Sequence, residues 1–234
     1  MPNVKIKFKF NKNLDFKMAW EFYSHPEFAG NNFWQERALS HHPRLCQIKN
    51  SKNKKSFLKK YISDFYDSHR KEIIFLSEKT EKFCAEKQDA FFFETAKIFK
   101  NYPWPKKKFI GFFSIFDFCP RFLEDGSFQV FIYDSKNLQL FTIFHEMLHF
   151  IFYNYAKNNF PNEFKKMDTE KGKFWDLAEI FNTAIQNSNS FVKIHGKIKN
   201  IGYKEHKKLI PLAEKLWNEK KDIDFWIEKM LEKI

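Results

Sequence analysis

Phe141-Thr142-Ile143-Phe144-His145-Glu146-Met147-Leu148-His149 is the stretch on which the reading of this chain turns. It holds H-E-x-x-H within a helical pattern expected to run from about Asn137 to Asn158. Residues four apart on a helix share a face, so the imidazoles of His145 and His149 can grip one zinc ion. Glu146, next to the first imidazole, is placed to take a proton from a zinc-bound water. Between Leu138 and Tyr155 the only formally charged side chain is Glu146, and Leu, Phe, Ile and Met surround it. Such a helix belongs in a core, where two imidazoles and a carboxylate without partners would cost several kcal/mol. Metal ligation removes that cost. The bland alternative is a pair of core histidines bonded to backbone, with Glu146 paired to a lysine.

Upstream, the chain reads as an α+β protein with a small mixed sheet. Val4, Ile6, Phe8 and Phe10 alternate with Lys5, Lys7 and Lys9, the period of a half-buried strand. Leu14 to Ser24 reads as a short helix ended by His25-Pro26. His41-His42-Pro43 reads as a solvated or capping loop. Between about Ser56 and Asn101 there is neither Gly nor Pro, which predicts two long helices with a break near Ser77 to Thr80. Phe91-Phe92-Phe93 and Trp104 are expected in the core. Phe109 to Phe118 and Phe128 to Tyr133 are aromatic and branched runs with turn chemistry at 124–127, read as antiparallel strands. Downstream, helices are expected at about 172–186, 203–220 and 222–234, with a polar break at 187–190. The domain division is 1–160 for a sheet-bearing part with the H-E-x-x-H helix and 161–234 for a helical part, together one catalytic domain.

The order of two strands followed by the H-E-x-x-H helix resembles the zincin metallopeptidases over about residues 105–185. The resemblance implies a zincin-like fold, one Zn2+ per chain, and a peptide or protein substrate lying along a sheet edge, here strand 128–133. Metzincins place Gly three and His six residues after the second His, where this chain has Phe152 and Tyr155. The gluzincin branch takes its third ligand from a later helix. Phe174-Trp175-Asp176-Leu177-Ala178-Glu179-Ile180-Phe181-Asn182 sets a carboxylate among large apolar residues and nominates Glu179, with Asp176 or His195 as alternatives. Many gluzincins carry Asp four residues after that Glu; here the position is Thr183, and Asn182 and Thr183 are candidate supports. The short helix pair is similar to the smallest gluzincins, the minigluzincins. Peptide hydrolysis also needs a donor for the oxyanion, often Tyr or His in gluzincins. His206 and Tyr203 are the candidates carried forward, beside His195.

Composition narrows the remaining classes. Of 234 residues 43% are hydrophobic and 30% charged, which excludes a wholly disordered chain. The longest apolar run, 141–155, falls short of the roughly 18 residues a membrane span needs. The start Met1-Pro2-Asn3-Val4-Lys5 lacks a secretory pattern, so a cytoplasmic setting without membrane partners is expected. Cys46, Cys84 and Cys119 have no C-x-x-C spacing and suit reduced thiols. The net charge of +12 comes from 41 basic residues, of which only Arg37, Arg44, Arg70 and Arg121 are Arg. Phosphate and base recognition favours the Arg fork, so no specific nucleic-acid partner is expected. A zinc-dependent metallopeptidase is the reading. A zinc-stabilised non-catalytic regulatory protein and a Lys-rich nucleic-acid binder are the alternatives.

Overall fold

The computed structural model describes residues 4–198 and 202–234. Met1 to Asn3, part of the stretch weighed above as a leader, lie outside them. The chain is α+β and divides into two compact units, one of Cys84–Lys107 with Leu140–Ile234, the other of Lys5–Phe83 with Lys108–Gln139. The H-E-x-x-H segment thus groups with the helices that follow it, whereas a boundary at 160 places it with the strands. Among the described residues no helix is long and apolar enough to cross a membrane.

The strand-bearing unit opens with β1 (Ile6–Phe10), α1 (Lys12–Ser24), and the two-residue strands β2 (Glu27–Phe28) and β3 (Asn31–Asn32). Short helical turns over 34–50, including α2 (Leu39–His41), lead to α3 (Lys54–Ser68) and the long α4 (Arg70–Ile98). Strands β4 (Phe109–Ser114), β5 (Arg121–Phe122) and β6 (Ser127–Phe131) complete a sheet of order β1-β4-β6-β5. β4 pairs parallel to both β1 and β6, which corrects the antiparallel expectation. The chain does not turn back after Ser114; it crosses through 115–126 before β6 runs the same way. The turn residues at 124–127 serve instead the antiparallel pair β5 and β6, with Phe122 opposite Ser127. β6 is therefore flanked on both sides, and the Gln129 N–H also donates to the Pro120 carbonyl. The outer strands are β1 and β5, and β5 covers β6 only at Ser127 and Phe128. Gly111 of β4 is dictated by packing: a Cβ there would lie 2.6 Å from the Phe8 ring.

The helix break falls at His69, not at 77–80. Ser68 Oγ donates to the Asp64 and Phe65 carbonyls, and the His69 ring and backbone both reach the Phe65 carbonyl, closing the helix end. Ser77 and Thr80 instead return their hydroxyls to the Ile74 and Leu76 carbonyls, which lets them sit inside α4. His42 is no solvated loop residue. It is buried at 2% exposure, with Nδ1 2.9 Å from the Tyr61 hydroxyl and Nε2 2.6 Å from the Ile115 carbonyl. Burial pushes its pKa down to about 4. Asp15 is fully buried and accepts from Tyr66 Oη, Gln129 Nε2 and the Ile115 N–H. Burial outweighs these bonds and lifts its carboxyl to about 6.

The other unit is helical: the end of α4, α5 (Lys136–Asn159) from Leu140 on, α6 (Pro161–Phe164), α7 (Lys173–Gln186), α8 (Asn189–His195), α9 (Ile210–Lys220) and α10 (Ile223–Leu231). The helix expected over 203–220 begins as a separate 3-10 turn at Lys204–His206, and α9 restarts with Pro211 in its first turn. Phenylalanine fills this core, with Phe91 stacked on Phe144 at 4.4 Å and Phe152 on Phe181 at 4.7 Å. Phe91 and Phe92 are buried as expected, while Phe93 is 48% exposed because it lies on the outer face of α4 under the Lys97 ammonium.

Candidate metal centre

The centre is built from α5 and α7, both inside the helical unit. On α5, Ile143, Phe144, Met147 and Leu148 are fully buried and hold the helix in place, which also buries Glu146 at 6% and His149 at 0%. On α7 every residue from Phe174 to Gln186 except Asp176 is buried. Three polar residues of that helix, Glu179, Asn182 and Gln186, are spaced i, i+3 and i+7, so they line one face. That face meets α5. Asn182 Nδ2 donates to the His145 carbonyl at 3.0 Å, and Gln186 Nε2 donates to the Phe141 carbonyl at 2.9 Å.

Between these backbone clasps the sequence-nominated ligands converge. His145 Nε2 lies 3.2 Å from Glu179 Oε2, His149 Nε2 lies 3.2 Å from Glu179 Oε1, and the two Nε2 atoms are 3.1 Å apart. Ligands held at about 2.0–2.1 Å around a tetrahedral zinc ion stand roughly 3.3 Å from one another, so the spacing fits one ion. The donor set fits too, two imidazole nitrogens and one carboxylate. Charge is arranged accordingly: burial opposes an ionised Glu179, yet His149 and then His145 hold it well below the ordinary carboxylate range. Burial likewise opposes a charged His145, and the Glu179 carboxylate outweighs it, raising that pKa. Half-buried His145 with buried His149 and Glu179 form a group that could hold a metal ion.

The alternative third ligands lie elsewhere. Asp176 Oδ1 is 2.8 Å from His206 Nε2, and both ring nitrogens of His195 face backbone carbonyls, of Gly196 at 2.7 Å and Gln186 at 3.1 Å. His206 is buried at 3% exposure, and its Nδ1 has no hydrogen-bond partner. Its ring packs 5.4 Å from Trp175 and 5.8 Å from Tyr203. Asp176 and His206 also gather with Glu205, their ligand-type atoms within 4.8 Å of one another. Thr183 stands against Gly202.

Gln186 is the residue the sequence reading missed. Its Oε1 lies 2.8 Å from His145 Nδ1, whereas the supports proposed from the sequence were Asn182 and Thr183. The available signal was the polar stripe itself, which runs through an otherwise apolar helix and ends at Gln186. An open groove of about 620 Å3, bordered by Asn187, Lys193 and Trp217, includes none of the ligand residues. Its lining includes none of the residues grouped as possible metal ligands. No protein-family model, curated protein or solved structure matches this chain.

Proposed function

We propose that the protein is a zinc-dependent metallopeptidase of zincin-like, gluzincin type, with His145, His149 and Glu179 as ligands. One observation carries the reading: two Nε2 atoms and a carboxylate meet at 3.1–3.2 Å on the buried faces of two helices, as one small cation requires. A zinc ion held there supplies a Lewis acid that polarises a carbonyl and lowers the pKa of bound water. The rest belongs to side chains of this chain. Glu146, one residue from His145 and three from His149, takes the proton of the attacking water and returns it to the leaving amine. Asp176 orients His206 by accepting from Nε2, which leaves Nδ1 as the ring atom that faces the oxyanion, a donor there only when it carries a proton of its own. Tyr203, packed against the same ring, shapes that donor's surroundings.

Zinc per chain, measured by elemental mass spectrometry after dialysis, tests the ligand set in the wild type, Glu179→Ala and Glu146→Gln. Cleavage of a labelled unfolded protein such as casein tests the activity. About one zinc in the wild type and in Glu146→Gln, with cleavage only in the wild type, supports the proposal. Zinc without cleavage in any form assigns the centre to structure rather than catalysis. No zinc in the wild type overturns the reading.

A further inference from the structure

We propose that Gln186 is the positioning residue of the metal centre, a neutral amide that fixes the tautomer of His145 and so directs its Nε2 lone pair onto the ligand point. The proposal rests on the metal reading above, and it concerns an atom on the far side of the ring from the ligands.

The argument begins at the amide. A carbonyl oxygen can only accept, so the 2.9 Å contact between Gln186 and the Phe141 carbonyl must be made by the amide NH2. That fixes which way the side chain points. Its oxygen, an acceptor, is left facing His145 Nδ1 at 2.8 Å. The contact is a hydrogen bond only if Nδ1 carries the proton; at 2.8 Å it is shorter than the 3.2 Å between Nε2 and Glu179 Oε2, so a neutral His145 that keeps the shorter bond has its lone pair on Nε2. Nε2 is the atom that faces Glu179 and His149 at 3.2 and 3.1 Å. Gln186 is fully buried, and its own backbone carbonyl lies 3.1 Å from His195 Nε2, so the end of α7 is held as well as the side chain. In the neutral ring, with one proton to place, the bond to Gln186 and a proton on Nε2 exclude one another.

Metal-ligating imidazoles commonly donate their second nitrogen to a carboxylate, a carbonyl or water, and losing that partner costs about 10–100-fold in metal affinity. Here the partner is uncharged. It orients the ring without adding a negative charge beside Glu146 and Glu179, two carboxylates already buried in the same region.

Long-range proton–nitrogen NMR of the histidines tests the tautomer directly in the metal-free wild type at pH 9. The expected result is a neutral His145 protonated at Nδ1. A neutral His145 protonated at Nε2 overturns the proposal without recourse to any variant. Zn2+ affinity by chelator competition gives the second readout. Gln186→Leu should bind about 10–100-fold more weakly and lose the tautomer preference, while Gln186→Glu should keep the Nδ1 proton. Zn2+ binding by a folded Gln186→Leu within twofold of wild type also overturns the proposal. A wild type that takes up no Zn2+ but shows the Nδ1 tautomer separates the two ideas, since the metal reading then fails and the lock stands.

Discussion

Two carboxylates lie at nearly the same depth in the two units of this chain, Asp15 at 0% exposure and Glu179 at 3%. Their chemistry is opposite. Asp15 accepts from a phenol, an amide and a backbone N–H, all neutral, and burial lifts its carboxyl to about 6. Glu179 faces two imidazoles, and its carboxyl is held far below the ordinary range although burial works against it. Hydrogen bonds from neutral groups are therefore not enough to keep this fully buried carboxylate at its solution value, whereas two groups able to carry positive charge overturn the burial cost. A buried acid among neutral donors is a structural group with a charge problem. A buried acid aimed at two imidazole Nε2 atoms completes a group that could hold a metal ion.

Removing each acid should break the molecule in a different way. The largest effect is expected for Glu179→Ala, which should drop bound zinc from about one per chain to a small fraction in the elemental assay while the strand-bearing unit stays folded. Glu146→Gln should leave zinc in place and lower peptide cleavage by roughly 10²–10⁴-fold, measured as turnover of labelled casein. Asp15→Ala should touch neither metal nor cleavage at first. It should destabilise by about 3 kcal/mol in urea unfolding, because Tyr66, Gln129 and the Ile115 N–H lose a buried acceptor.

pH sharpens the contrast. Asp15 has a folded pKa of about 6, above the roughly 3.9 of an unfolded Asp. Its stabilisation is complete below the lower value and is lost as pH rises through 6, about 3 kcal/mol in all. His42 is the reverse case, folded at about 4 against roughly 6.5 unfolded. Its stability is present above 6.5 and is lost as pH falls through 4, again about 3 kcal/mol. The two nearly cancel in one unit, so Asp15→Asn should unmask a loss of stability on acidification from pH 7 to 4.5, followed by urea midpoints. The smallest effect is expected for Asp176→Asn, which should lower kcat about tenfold with zinc unchanged, since His206 loses only its orienting acceptor.

The grouping of His145, His149 and Glu179 was legible because chemistry and period coincide at them. His145 and His149 sit at i and i+4, and Glu179 is a carboxylate in a helix otherwise filled with Phe, Ile and Leu. Gln186 was not legible, because a glutamine near a helix end is ordinary and its partner lies 41 residues away. The burial of His42 was hidden for the same reason: Tyr61 and Ile115, which satisfy it, come from distant segments. The strands β4 and β6 announced themselves by composition, but their parallel pairing depends on how 115–126 crosses over, which no local pattern records. Ser77 and Thr80 suggested a break that their hydroxyls, returned to the preceding turn, make unnecessary.

The meeting of His145 with Glu179 also has a meaning in chain statistics. The two residues are 34 positions apart, and an ion held between them would cross-link the helical unit as a disulfide does. Closing a loop of that length removes freedom from the unfolded chain worth about 4 kcal/mol on the simple entropic scale. Chelation would then lengthen the loop available to the unfolded chain as well as empty a site, making the melting temperature of the helical unit a gauge of metal supply.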